Sequence, residues 1–187
     1  FPNTYSKDGN QSFSKGTFNV SGDKYNVWTW GANKAAFETC TFNCDGKSVL
    51  LYGYGPTELV MNGCTFNDNG DDTITGKAAI EIGNDYNATY SLTVNNATVN
   101  GFAINPNGTQ TGTALWANKN SMTPDKLTVI IDGVRWDPKD PNTHDVYNLD
   151  ELLKWAYMAN NGQPALNLNL HADITLPAYE IAEDEEN

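Results

Sequence analysis

The chain predicts an all-β solenoid in which short parallel strands stack in repeating coils. Three observations carry this. Ala36-Phe37-Glu38-Thr39-Cys40-Thr41-Phe42-Asn43 is echoed by Met61-Asn62-Gly63-Cys64-Thr65-Phe66-Asn67 and foreshadowed by Ser14-Lys15-Gly16-Thr17-Phe18-Asn19. Gly16, Cys40 and Cys64 are thereby spaced 24 residues apart (40 − 16 and 64 − 40), a period typical of stacked repeats. Each copy closes on an amide or acid: Asn19, Asn43 and Asn67, then Asn100 and Asp137 in two weaker copies.

Residues i and i+2 of a strand share a face, so Cys40 and Phe42 point one way and Thr41 the other. Cys64 and Phe66 repeat the pattern one coil on. Stacked coils place such pairs at the inter-strand spacing, roughly 4.8 Å. The closing Asn suits a sharp bend, because its side chain bonds locally and tolerates the left-handed region. Stacked amides can also hydrogen-bond up and down the column.

In chain order, residues 1–11 form a polar, flexible lead, and the coils occupy 12–147. Coil one takes Phe13 to Asn19, a turn at Ser21-Gly22-Asp23, then Lys24 to Trp30. Coil two has Phe37 to Asn43, a turn at Cys44-Asp45-Gly46, then Val49 to Tyr54. Coil three runs from Leu59 to Asn67, carries an insertion at 68–75 and resumes at Ala78 to Gly83. Coil four has Tyr90 to Asn100, a longer insertion through Gly108, and Thr113 to Ala117. Coil five is Leu127 to Val134, ending at Trp136-Asp137-Pro138. Solenoids place insertions of this kind in loops on one side.

From Asn148 the period changes. Leu149, Leu152, Leu153, Ala156 and Tyr157 follow the i, i+3, i+4 spacing of a helix. Asn148 serves as N-cap with Glu151 three residues on, and Asn161-Gly162 ends the helix. Leu166-Asn167-Leu168-Asn169-Leu170 alternates as a half-buried strand, and Ile174-Thr175-Leu176 suggests another. An open solenoid end needs a cover, so 148–182 is expected to cap it, or else to start a following module. The acidic tail at 183–187 is expected to be disordered.

The short strand, the Asn at the turn and the coil of two dozen residues resemble a right-handed parallel β-helix of the pectate-lyase-like class. The wording Phe37-Glu38-Thr39-Cys40-Thr41-Phe42-Asn43 is similar to β-helical repeats in large secreted surface proteins of gut bacteria. The resemblance covers roughly Ser12 to Tyr147 and implies a secreted or cell-surface module.

The 187 residues suit one domain, and 39% hydrophobic residues allow a true core. Formal charge is −12, and the 11 Lys and Arg form no cluster. Nucleic acid and anionic membrane are therefore poor partners. No apolar run is long enough to span a bilayer. The chain starts at Phe1 with no leader, as a mature protein or excised fragment would. Three cysteines do not make a disulfide framework. Cys40 and Cys64 are expected to stack as buried thiols, their parallel side chains disfavouring disulfide geometry. Cys44 lies just past a turn, where it can be exposed.

The candidate site is aromatic. Trp28 and Trp30 share one strand face. One register puts Trp28, Leu51, Glu81 and Trp116 in a single outward column; a strict step of 24 instead sets Tyr52 and Tyr54 over Trp28 and Trp30. Either arrangement, with Glu81 and Asp85 nearby, would build a sugar platform: rings stack on aromatic faces while carboxylates and amides hold hydroxyls. The competing structural reading packs these rings under the insertions at 68–75 and 101–111.

Catalysis has little support. A β-helix hydrolase needs paired carboxylates on one face, whereas Glu81 is the only outward acid inside a strand. Arg135 fits a structural ion pair with Asp132 or Asp137. His144 and His171 lack metal-ligand spacing. No cofactor is expected; calcium at Asn67-Asp68-Asn69-Gly70-Asp71-Asp72 is the lesser alternative, because the loop lacks the fixed ligand spacing of known calcium motifs. The expected function is non-catalytic adhesion or carbohydrate binding, with a glycan or a host or cell-surface polymer as partner. The alternatives are a small polysaccharide lyase or glycoside hydrolase, or a ligand-free structural stalk.

Overall fold

The computed structural model describes residues 9–30, 32–70, 77–83, 87–103, 111–161 and 167–178. Its strands rotate among three sheets in a fixed order. β1 (Asn10–Ser14), β2 (Thr17–Asn19) and β3 (Val27–Trp28) make the first rung. β4 (Lys34–Glu38), β5 (Thr41–Cys44) and β6 (Val49–Leu51) make the second, and β7 (Thr57–Asn62), β8 (Thr65–Asp68) and β9 (Ile80–Ile82) the third. The fourth has β10 (Tyr90–Asn95), β11 (Thr98–Asn100), β12 (Thr111–Gly112) and β13 (Trp116–Asn118). β14 (Leu127–Ile131) opens a fifth pass. Strands of successive rungs pair in parallel: β1-β4-β7-β10-β14, β2-β5-β8-β11 and β3-β6-β9-β13. β12 joins β13 as a short antiparallel edge. This winding is compatible with a parallel β-helix.

The sequence repeat sets the register. Phe18 lies opposite Phe42, and Phe42 opposite Phe66. Their rings stack at 5.0 and 5.2 Å with interplanar angles of 9° and 13°. Phe13 stacks on Phe37 at 5.2 Å in the neighbouring sheet, and Phe37 meets Phe42 edge-on at 5.4 Å. Leu59, Leu92 and Val129, with Met61 and Val94, continue the interior upward, all fully buried. Each such side chain contributes roughly 1.5–3 kcal/mol by leaving water. All three cysteines are free and buried; Cys44 lies inside, not on the turn surface. Burial pushes its thiol up to about 11.

The amide column forms as a ladder of four. Asn43 donates to Asn19 at 2.7 Å, Asn67 to Asn43 at 2.8 Å, and Asn100 to Asn67 at 2.8 Å. A second, shorter ladder joins Asn95 to Asn62 at 2.9 Å. These asparagines close strands and do not make the bend. The bend falls earlier, at Lys15, Thr39, Gly63 and Asn96, all at φ between 53° and 60°. Their amides donate one rung up, as in Thr39 to Asn62 at 2.7 Å and Gly63 to Asn95 at 2.8 Å. A β-branched Thr is the worst of these four for a left-handed backbone. Thr39→Gly is expected to raise stability by roughly 0.5–1 kcal/mol, since relief of strain exceeds the added chain entropy. A urea midpoint below that of the wild type would show that Thr39 has another role.

The fifth coil does not form. Asp132 and Gly133, at φ 50° and 77°, make a two-residue turn between Ile131 and Val134, which face each other. That geometry and sequence are those of a type I′ hairpin. β15 (Val134–Asp137) and β16 (Asp140–Val146) therefore add antiparallel to β14, and Asp137 stands outside the amide ladder. α1 (Leu149–Asn160) follows, with the Asn148 side chain accepting from the Glu151 amide at 3.0 Å. β17 (Asn167–Leu170) returns parallel to β16. This strand–helix–strand unit extends the edge of the eight-stranded sheet, with α1 against β15 and β16. Ile174 to Leu176 is not a strand. No helix among the described residues is long and apolar enough to cross a membrane.

Candidate functional site

Val27 and Thr29 point inward and are fully buried, which turns Trp28 and Trp30 outward. Thr29 fixes this parity: its hydroxyl accepts the Tyr52 amide at 3.1 Å, tying the ends of the first two rungs together. Tyr52 and Tyr54, just beyond β6, then meet the two tryptophans. Trp30 and Tyr52 stack at 5.6 Å and 14°, Trp28 and Trp30 pack edge-on at 5.3 Å, and Tyr54 stands across Trp30 at 4.4 Å and 82°. Gly83 supports the cluster from the third rung. A β-carbon there would press to 3.2 Å from both the Tyr52 ring and Asn120 Oδ1. Trp28 and Tyr54 remain 45% and 42% exposed. Most of the insertions at 68–75 and 101–111, under which these rings could alternatively pack, lies outside the described residues.

The outward column through Trp28 reads Trp28, Leu50, Glu81, Ala117. Glu81 is nevertheless completely buried. Its Oε2 accepts the Tyr25 hydroxyl at 2.5 Å, and Oε1 lies 3.4 Å from Lys119 Nζ and 3.6 Å from Lys77 Nζ. Burial, and then the hydrogen bond and charge of Glu81, push the Tyr25 phenol far above the ordinary tyrosine value. Lys47 lies over the Tyr25 ring at 5.5 Å and pairs with Asp23. Oε1 makes no hydrogen bond and is balanced only by the two lysine charges, but the carboxylate is fully buried, so Glu81 braces the outer face from within and does not present itself to an incoming ligand.

Trp116, expected in the outward column, faces the interior. It lies opposite Ile80 and is 1% exposed. Leu51 is likewise internal, and Leu50 takes the outward place. For Trp116 the cause is arithmetic, since insertions before β9 and β13 break the step of 24; for Leu51 it is a β3–β6 step of 22 (50 − 28), which sets Leu50 and not Leu51 beside Trp28. Trp28, Trp30, Tyr52 and Tyr54 are brought together, and Trp116 is not. Asp85 lies outside the described residues, as do Asp71 and Asp72 of the calcium alternative. Among the described residues no group of His, Cys, Asp or Glu could hold a metal ion.

Arg135 does form an ion pair, with Glu151 of α1 at 3.4 Å and not with Asp132 or Asp137, and it rests on the Tyr147 ring at 5.0 Å. His171 Nε2 sits 2.8 Å from Asp145 Oδ1, its ring stacked on Tyr147 at 4.5 Å. Tyr25, Lys77 and Lys119 went unmarked by sequence reasoning. Only the Lys77–Glu81 spacing was visible, and it signals a pair on helices, not strands. Aligning Ile80-Glu81-Ile82 with Trp116-Ala117-Asn118 by their central residues would have put Trp116 inside. Comparison with protein-family models, with curated proteins and with solved structures gives no match.

Proposed function

We propose that the chain is a right-handed parallel β-helix module, pectate-lyase-like in its winding, secreted or displayed on the surface of a gut bacterium. It binds carbohydrate, on a glycan or a host or cell-surface polymer, without transforming it. One observation carries this reading: four aromatic rings gather on the outer sheet face, and two keep over two-fifths of their surface in water. Aromatic side chains usually bury most of their area, so open rings on a rigid ladder suit stacking against a sugar face. The burial of Glu81 supports binding over hydrolysis, because the one strand carboxylate on this face does not reach a substrate.

A glycan array tests the reading, with the wild type beside Trp28→Ala and Tyr54→Ala. A positive glycan is expected to bind each variant about tenfold more weakly, close to the upper value of one aromatic contact. No wild-type signal on any glycan, or signal indifferent to both substitutions, would overturn sugar binding by this face. Release of reducing or unsaturated sugar ends from a bound polysaccharide would favour the enzyme instead.

A further inference from the structure

His144 and Trp136 pack ring against ring at 4.0 Å on the inward face of β16 and β15. His144 is fully buried, and neither ring nitrogen has a hydrogen-bond partner; the Trp136 indole nitrogen is buried and unpartnered as well. Three orphan polar atoms in one contact are unusual, since buried polar groups are nearly always satisfied. Leu168 of β17 lies opposite His144, and Val134 and Val146 share its face. Asp140, four residues before His144 and of the same strand parity, has its carboxylate taken by the Asn142 amide at 3.0 Å and the Thr143 hydroxyl at 2.6 Å. Arg135 and Asp137 of β15 occupy the alternate positions; Asp145 points away, toward Asn169 and His171. On α1, Glu151 is held by Arg135 and the Tyr147 amide, Lys154 reaches the Gly133 carbonyl, and Asp150 is exposed. β12, which also touches β16, contributes only Thr111 and Gly112.

We propose that His144 is an acid-sensitive pin: while neutral it seats β16 on the sheet, and when it takes a proton the strand–helix–strand unit 140–170 opens ahead of the parallel rungs. The ring is closed to bulk solvent and neither of its nitrogens has an acceptor within reach, so the charged ring is favoured where β16 has lifted away. Burial accordingly holds the His144 pKa below the ordinary histidine value of 6.5, and the Asp145 charge opposes this only in part. A depressed folded value gives a definite sign. The contribution is complete above 6.5 and is lost as pH falls from there toward the folded value. His171 pairs with Asp145 on the other face of β16. That pair lies partly in solvent, with His171 32% exposed, and is worth little.

Amide hydrogen exchange, corrected for the intrinsic rate at each pH, reads this directly. Between pH 7.5 and 5.5 the amides of β16 and β17 are expected to lose protection, by up to about tenfold per pH unit below 6.5. Those of β7 and β10 should hold theirs. His144→Phe and the softer His144→Gln should both flatten the profile, while His171→Asn should leave it sloped. An equal loss in all rungs, a loss that persists in both His144 variants, or no loss in the wild type would each overturn the proposal. So would an imidazole titration in the folded wild type that places His144 at or above 6.5.

Discussion

Phe42→Ala is expected to lower the unfolding free energy by about 3–5 kcal/mol, the range for deleting a buried aromatic ring. Phe42 is sandwiched between Phe18 and Phe66 at 5.0 and 5.2 Å, meets Phe37 edge-on, and exposes nothing. Its loss removes transfer free energy, two stacked contacts and one edge contact together. Hydrogen-bonded strands above and below keep the gap from collapsing. Against a total stability of about 5–15 kcal/mol for an ordinary domain, that is a large share. Equilibrium urea unfolding measures it, with Phe42→Leu as the volume-sparing control. A cost below about 1.5 kcal/mol, the range for volume-conserving swaps, would mean that the stacked column does not hold the rungs together.

Glu81→Ala is the second large effect, expected at roughly 1.5–3 kcal/mol because it removes the bond from the half-buried Tyr25 hydroxyl to a charged acceptor. The lysines contribute less: Lys77 and Lys119 are 28% and 32% exposed at 3.6 and 3.4 Å from Oε1, and partly solvated pairs are weak. A double-mutant cycle with Tyr25→Phe separates the terms. The Tyr25–Glu81 coupling should come to roughly 1.5–3 kcal/mol. Additive single effects would show that the 2.5 Å bond contributes nothing and that Glu81 acts through packing alone.

The parts legible in the sequence are those governed by an unbroken period. Between Gly16 and Asn67 the step of 24 gave the stacking of Phe18, Phe42 and Phe66 and most of the amide ladder, because parallel register copies sequence spacing into space. The helix was legible for a local reason, its Asn148 cap and apolar spacing. Beyond Asn67 the insertions remove the counting rule, so spacing alone puts Trp116 on the outer face while its register with Ile80 puts it inside. Asp132-Gly133 between apolar strands is a strong hairpin signal. It was overridden by the expectation of one more coil. For the candidate site, strand parity alone turns Trp28 and Trp30 outward, whereas the step of 24 misses the register by two: Leu50 lies opposite Trp28, and Tyr52 stacks on Trp30. The enclosure of Glu81 was invisible, since Tyr25 reaches it from 56 residues away.

The turn at Asp132-Gly133 has a consequence for how such a molecule could change over generations. Residues 40–63 make one repeat-length segment, since Cys64 stands where Cys40 stood, with Phe66 opposite Phe42 and Asn67 opposite Asn43. Duplicating it would add one further rung, in the nearest-neighbour manner of repeat proteins. Growth of this kind is easy anywhere along the parallel rungs. It halts at one dipeptide, which reverses the chain and turns the last edge into a different kind of neighbour. Two residues thereby set how tall the object stands.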